Sequence, residues 1–243
     1  MIYHENYQVP FFFGTQNTTI SLSTLVNIML LVSEHQLDAH DAGVEALAKR
    51  GAGWVITQYH LSVNQWPTVE QRVKVGTEAL SYNKFLTYRN YWIDDESGNR
   101  MATLESTWVM MDLTTRKIIN VIPEIVESVG ATEATKVKHF PRIAKIQTIN
   151  ESLPYRVRYF DIDANGHVNN AHYFDWMQDS LGAEWLKTHQ LVELDIRYER
   201  EVAYGQTPQS EYEIDAADEL LTKHRIVTDG VVNAEAQMRW ATL

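Results

Sequence analysis

The chain has 243 residues, a formal net charge of −11 and no cysteine, with 44% hydrophobic and 22% charged residues. Such a chain can bury one large core or two small ones. Disulfides, thiolate metal sites and a cysteine nucleophile are excluded, and the acidic balance argues against nucleic acid, whose binding rests on neutralising phosphates.

No apolar run approaches membrane-spanning length; the longest, Val26 to Val32, still contains Asn27. With no charged-then-apolar leader in view, the expected location is the cytoplasm and no stable membrane insertion is expected. An acidic partner would have to meet a local basic patch. Lys136, Lys138, Arg142 and Lys145 form one candidate, and Arg156, Arg158, Arg197 and Arg200 another.

Leu22, Leu25, Val26, Met29 and Val32 recur at helical spacing behind Thr18, Thr19 and Ser21, which are good N-cap types. After Gly51 and Gly53, strand-like runs cover Trp54 to Val63, Thr68 to Leu80, Phe85 to Asp94 and Asn99 to Asp112. The polar cluster from Asp94 to Asn99 is a turn between the last two. From about Ile122 to Thr148 the chain carries Pro123, Gly130, Pro141 and many charges, and reads as a linker with one or two helical turns.

Tyr155 to Phe160 alternates like a strand. A helix from about Asn170 to Thr188 follows, with Tyr173, Trp176, Met177, Ser180, Leu181 and Trp185 on one face. Strands are expected at Val192 to Val202, Gln209 to Ala216, Leu220 to Thr228 and Val231 to Thr242, with Asp229-Gly230 as a hairpin turn. The second half therefore repeats the first: one helix, then four strands. The expected class is α+β, two helix-wrapped antiparallel sheets fused as an internal pseudo-dimer. Sheet-to-sheet pairing across it would remove exposed edges. The expected boundaries are 1–130, a linker at 131–150, and 151–243.

Between the alternating run and the second helix lies Asp161-Ile162-Asp163-Ala164-Asn165-Gly166-His167-Val168-Asn169-Asn170. Asp161, Asp163, Asn165 and Gly166 fill the first fixed places of a calcium loop, but its twelfth place is His172 instead of a bidentate Glu. A strand-like flank where that loop needs a helix completes the exclusion. Asp163, Asn165 and His167 alternate on one side of an extended loop, which suits water activation beside a carbonyl. Backbone N–H groups at the start of the Asn170 helix are candidate oxyanion donors. Asp161 and Asn169 suit capping instead. His60, His139, His189 and His224 read as surface or internally satisfied. There is no G-x-S-x-G, H-E-x-x-H, G-x-G-x-x-G or Walker loop, so no cofactor is expected.

The block Asp161-x-Asp163-x-Asn165-x-His167-Val168-Asn169-Asn170, followed by Tyr173 and Trp176, resembles that of the acyl-acyl carrier protein thioesterases. Tyr198-Glu199-Arg200-Glu201 is similar to the family's tyrosine-arginine-glutamate strand, and the likeness covers nearly the whole chain. The resemblance implies a double hotdog that hydrolyses acyl thioesters and ends fatty-acid synthesis without metal. By the same resemblance, Asp163, Asn165, His167 and Glu201 are catalytic, and the first half shapes the acyl-chain tunnel. Asp163 is also kept in simpler single-hotdog thioesterases. Plant members often place a cysteine after the glutamate, where this chain has Val202. The implied partner is acyl carrier protein with its phosphopantetheine-linked chain. An acyl-CoA thioesterase and a non-catalytic lipid binder of the same fold stay open, as do base and nucleophile roles for the carboxylates. A homodimer is compatible but not required, because the fused pair already supplies two units.

Overall fold

The computed structural model describes residues 1–135, 138–164 and 166–243. Lys136, in one of the two basic patches, and Asn165, read as catalytic, lie outside the described residues. The first half contains β1 (Ile2–Gln8), α1 (Leu22–Asp38), α2 (Val44–Ala48), β2 (Ala52–Val63), β3 (Arg72–Tyr82), β4 (Leu86–Asp95), β5 (Arg100–Asp112) and the two-residue β6 (Ile118–Ile119). A short helix, α3 (Pro123–Ser128), and a two-residue strand, β7 (Thr132–Glu133), begin the connection. The second half runs through β8 (Glu151–Pro154), α4 (Asn170–Asp179), α5 (Ala183–Thr188), β9 (His189–Tyr198), β10 (Gln209–Asp215), β11 (Asp218–Thr228) and β12 (Val231–Thr242).

Ser21 caps α1 by accepting the Thr24 N–H at 3.2 Å. Leu22, Leu25, Val26, Met29 and Val32 are then buried along one side of the helix. Each side chain of that size removed from water contributes about 1.5–3 kcal/mol, enough to fix the helix against the sheet. The second helix does the same with Ala171, Tyr173, Phe174, Trp176 and Met177. The two helices pack on each other, and their buried faces belong to one continuous core.

The expected double hotdog is what forms. Among the described residues the strands join in one sheet of order β1-β3-β4-β5-β2-β9-β12-β11-β10-β8. The halves meet where β2 pairs antiparallel with β9, from Gln58 opposite Arg197 to Ser62 opposite Glu193. That pairing removes both inner edges and leaves β1 and the short β8 as the outer strands of the order.

Several elements differ from the sequence reading. Tyr155 to Phe160 is not a strand: the ladder stops at Pro154, and Tyr159–Asp161 is a single 3₁₀ turn. The Tyr155 N–H still reaches the Pro208 carbonyl at 2.9 Å, but Pro208 has no N–H to return the bond, so regular pairing lapses there. The helix expected to reach Thr188 unbroken is interrupted at Gly182, whose φ of 84° only glycine adopts readily. The strand expected to reach Val202 ends at Tyr198, so Glu201 stands in a loop. β1 was not expected. The linker's first residues add β7 parallel to β3. No helix among the described residues is long and apolar enough to cross a membrane.

Candidate functional site

The loop before α4 folds back on itself. Asp163 donates its N–H to the His167 carbonyl at 2.9 Å, and Gly166 donates to the Asp163 carbonyl at 3.0 Å. Gly166 turns the chain with a φ of 82°. Asp161 is 2% exposed and accepts from Arg158 through both the backbone N–H at 2.8 Å and the guanidinium. Those bonds hold its carboxyl below the ordinary carboxylate range even though burial pushes the other way. Asp161 is thus committed to bracing the loop's entry. Asn169 caps α4 by accepting the Ala171 N–H at 2.9 Å.

The segment after β9 is held from two sides. Asn233 of β12 accepts the Glu199 and Arg200 N–H groups at its carbonyl, and its side chain donates to the Glu201 carbonyl at 3.2 Å. Next to it, Val202 receives the Val168 N–H at 2.9 Å and donates its own N–H to the Tyr173 hydroxyl at 3.1 Å. Loop, helix and segment are therefore locked together through Val202.

His167 and Glu201, which the family resemblance names together, lie in contact here: Nε2 is 2.9 Å from Glu201 Oε2. The other carboxylate oxygen, Oε1, accepts from Arg116 Nη2. Arg116 belongs to the turn after β5, in the first half, and its φ of 57° is the left-handed conformation that non-glycine residues seldom take. Asp163 is close enough for its charge to be felt at the same place. Its charge and that of Glu201 both add to the rise that burial imposes on the Tyr173 phenol. Sequence reasoning missed Arg116, Tyr173's bond to Val202 and Asn233. Nothing in Thr114-Thr115-Arg116-Lys117 signals a cross-half partner, because the pairing depends on β2 joining β9.

Two of the candidate oxyanion donors at the start of α4 are otherwise employed. The Ala171 N–H is taken by the Asn169 cap, and the His172 N–H by the Asn169 carbonyl at 3.0 Å. These two groups do not point a free donor at a substrate.

Asp163, His167, Glu201, Arg200 and Arg116 all line one cavity of 1120 Å³. Elsewhere the same cavity is walled by Val26 and Leu30 of α1, Trp54 and Tyr59 of β2, Trp108 of β5 and Phe174 of α4. Its size and mainly apolar wall suit a long, flexible organic ligand held against a few polar groups.

The first half repeats the loop's geometry without its chemistry. Thr15 donates to the Thr19 carbonyl at 2.8 Å, and Thr18 to the Thr15 carbonyl at 3.0 Å. Thr18, at φ 61°, stands where Gly166 does, and Ser21 caps its helix as Asn169 does. Thr15 and Thr19 thus occupy the places of Asp163 and His167. Hydroxyls there cannot serve as a base at neutral pH.

Comparison with known proteins bears on the family and the fold. Residues 1–129 match the family described as the acyl-ACP thioesterase N-terminal domain, and residues 144–242 match its C-terminal domain. An oleoyl thioesterase structure from Lactobacillus plantarum, so designated provisionally, is 36% identical, with a TM-score of 0.96 over 100% of this chain and 97% of that one. The 12:0-ACP thioesterase from Umbellularia californica shares the fold, with a TM-score of 0.88 at 18% identity, covering 100% of this chain and 98% of that one. An acyl-[acyl-carrier-protein] hydrolase of Cuphea viscosissima is 26% identical over 216 residues, 83% of this chain but only 52% of that protein. The chain thus spans about half the length of that relative. With both halves matched in order and the whole fold superposing, the chain belongs to the acyl-ACP thioesterase family.

Proposed function

We propose that the protein hydrolyses acyl-acyl carrier protein to free fatty acid and holo-carrier protein, ending fatty-acid synthesis in the cytoplasm. One observation carries this reading: Asp163, His167 and Glu201 line the same 1120 Å³ cavity as the apolar side chains of α1, β2 and β5. A thioester carbonyl and its hydrocarbon tail can therefore be held at once. Asp163 is assigned as the group that takes a proton from the attacking water. Glu201, fixed by Arg116, orients His167 through its second oxygen, so that His167 can share the proton. Asn165 keeps the role that the family resemblance gives it, holding the water or the thioester oxygen. Water adds to the carbonyl carbon, the carbon–sulfur bond breaks, and the thiol, with a pKa of about 8.5, departs as thiolate without a strong acid.

The carrier is expected to dock beside the loop. Arg156, Arg158 and Arg200 are exposed there, with Tyr159 and Phe160 among them. Arg158 is the weaker candidate because Asp161 already holds it. We assign the acyl tunnel to residues 1–130, the connection to 131–150 and the reacting groups to 151–243, with Arg116 crossing from the first unit. Two units in one chain supply what two subunits otherwise would, so the site needs no homodimer. Asp163→Asn tests the assignment. Turnover of acyl-carrier-protein substrate should fall by about 10²–10⁴ with the fold intact, as for loss of a general base. Near-wild-type turnover would remove Asp163 from the reaction.

A further inference from the structure

An acyl sleeve should be apolar, yet Arg89 of β4 lines this cavity and is only 7% exposed. Its Nη1 donates to Gln36 Oε1 at 2.6 Å and to Thr77 Oγ1 at 3.0 Å. Both acceptors are neutral and themselves fixed: Gln36 Nε2 donates to the Met1 carbonyl at 3.2 Å, and the Thr77 hydroxyl to the Asn90 carbonyl at 3.0 Å. Among the described residues no carboxylate forms an ion pair with Arg89. Glu34, the acid whose charge acts on it, accepts instead from the Val44 N–H at 3.0 Å.

A guanidinium has five N–H donors and cannot shed its proton in a protein. Burying it among neutral acceptors is costly, and a leucine or methionine would fill the volume with no such cost. Nearby on the same inner face is the Tyr59 hydroxyl, which is buried and without a partner among the described residues. The Tyr59 hydroxyl is closed off from the cavity, so the donors that face this space otherwise suited to hydrocarbon are those of Arg89.

Their position is set by register. Arg89 lies opposite Ser106, Ser106 opposite Tyr59, and Tyr59 opposite Ile196 of β9. Three interstrand steps place Arg89 about 14 Å across the sheet from β9, the strand that leads into Glu201. Glu201 lies five residues beyond Ile196, so Arg89 stands farther from the reacting groups than this lateral span, towards the distal part of a long acyl chain.

We propose that Arg89 forms a polar subsite for an oxygen function carried on the acyl chain, so that thioesters of hydroxylated or oxo-bearing chains are preferred over plain chains of equal length. This rests on the thioesterase reading above and names its substrate class. A hydroxyl or carbonyl oxygen on the chain accepts from the guanidinium, whereas a plain chain covers those donors and returns nothing.

The test compares kcat/KM for carrier-protein thioesters of hexadecanoic acid and its 8-, 12- and 16-hydroxy forms, in the wild type and in Arg89→Met. The expected result is a preference of about ten-fold for at least one hydroxylated chain, falling to one or below in the variant. Equal or faster hydrolysis of the plain chain by the wild type would overturn the proposal while leaving the thioesterase reading intact. A preference that survives Arg89→Met would overturn the assignment to Arg89. Should Arg89→Met not fold, Arg89→Lys, which keeps the charge but loses the fork, reads the same ratio. If no thioester is hydrolysed, the thioesterase reading fails, and calorimetric affinities of the free acids for the wild type still decide whether oxygen is favoured.

Discussion

Glu201 has a different partner on each carboxylate oxygen, Arg116 on one and His167 on the other. Such a carboxylate cannot swing, and neither can the imidazole it holds. Because Glu201 and Arg116 are both more than a third exposed, their attraction is screened by water and adds little to stability. Its value is in orientation. Replacing Arg116 by Met should therefore lower kcat by on the order of ten-fold through misplacement of Glu201. The melting temperature should hardly change, since exposed pairs are worth about 0–1 kcal/mol. Equal loss of stability and activity would mean that Arg116 supports the fold instead. Asp163 is held independently of Arg116, because its loop is closed by its own backbone bonds to His167 and Gly166.

At the scale of elements, most of the architecture was legible. The α1 stripe gave a helix because Leu22, Leu25, Val26, Met29 and Val32 recur at helical spacing and are buried together. The Asp229-Gly230 turn gave the β11–β12 hairpin, with Asp229 at φ 51° and Gly230 at φ 78°. Misreadings came where local pattern and tertiary pairing disagree. Tyr155 to Phe160 alternates as a strand does, but Pro208 cannot return the bond that the Tyr155 N–H gives its carbonyl, and no regular ladder forms. Ser180, Leu181 and Trp185 keep helical spacing across Gly182, and only its left-handed backbone shows the break. Of the site, Asp163 and His167 were legible as a loop of proton-handling types, while Glu201 rested on family likeness. Arg116 and Asn233 were not legible, since each reaches the site through strand pairings between residues far apart in sequence. The duplicated loop at Thr15 to Thr19 was hidden for a related reason. Its backbone bonds match those of Asp163 to His167, but its side chains share only the ability to turn.

Across the whole molecule, one row of paired residues runs from Arg89 through Ser106, Tyr59, Ile196 and Ala236 to His224. Its ends are corresponding places in the two halves, and both hold buried basic side chains. His224 is 1% exposed, bonded to Thr222 at 2.7 Å through Nε2, and burial lowers its pKa to about 3. The unfolded chain binds a proton there below about pH 6.5 and the folded one does not, so stability falls as pH drops from that value towards 3. His60, at the joint of the halves, works in the opposite sense. Its bond to Asp195, at 2.8 Å, raises its pKa against the effect of burial. That contribution is full below about pH 6.5 and is lost as pH rises through the raised value. His224→Gln should therefore show a smaller loss of urea midpoint between pH 7 and pH 4.5 than the wild type. Parallel losses would mean that His224 accepts a proton in the folded state. The reaction is tested most directly by thiol release from matched acyl-carrier-protein and acyl-CoA series at low and high salt. Faster hydrolysis of the carrier-protein series, weakened by salt because exposed arginines recognise an acidic carrier, is the predicted result. Faster, salt-insensitive hydrolysis of the CoA series, or no thiol release from either, would contradict it.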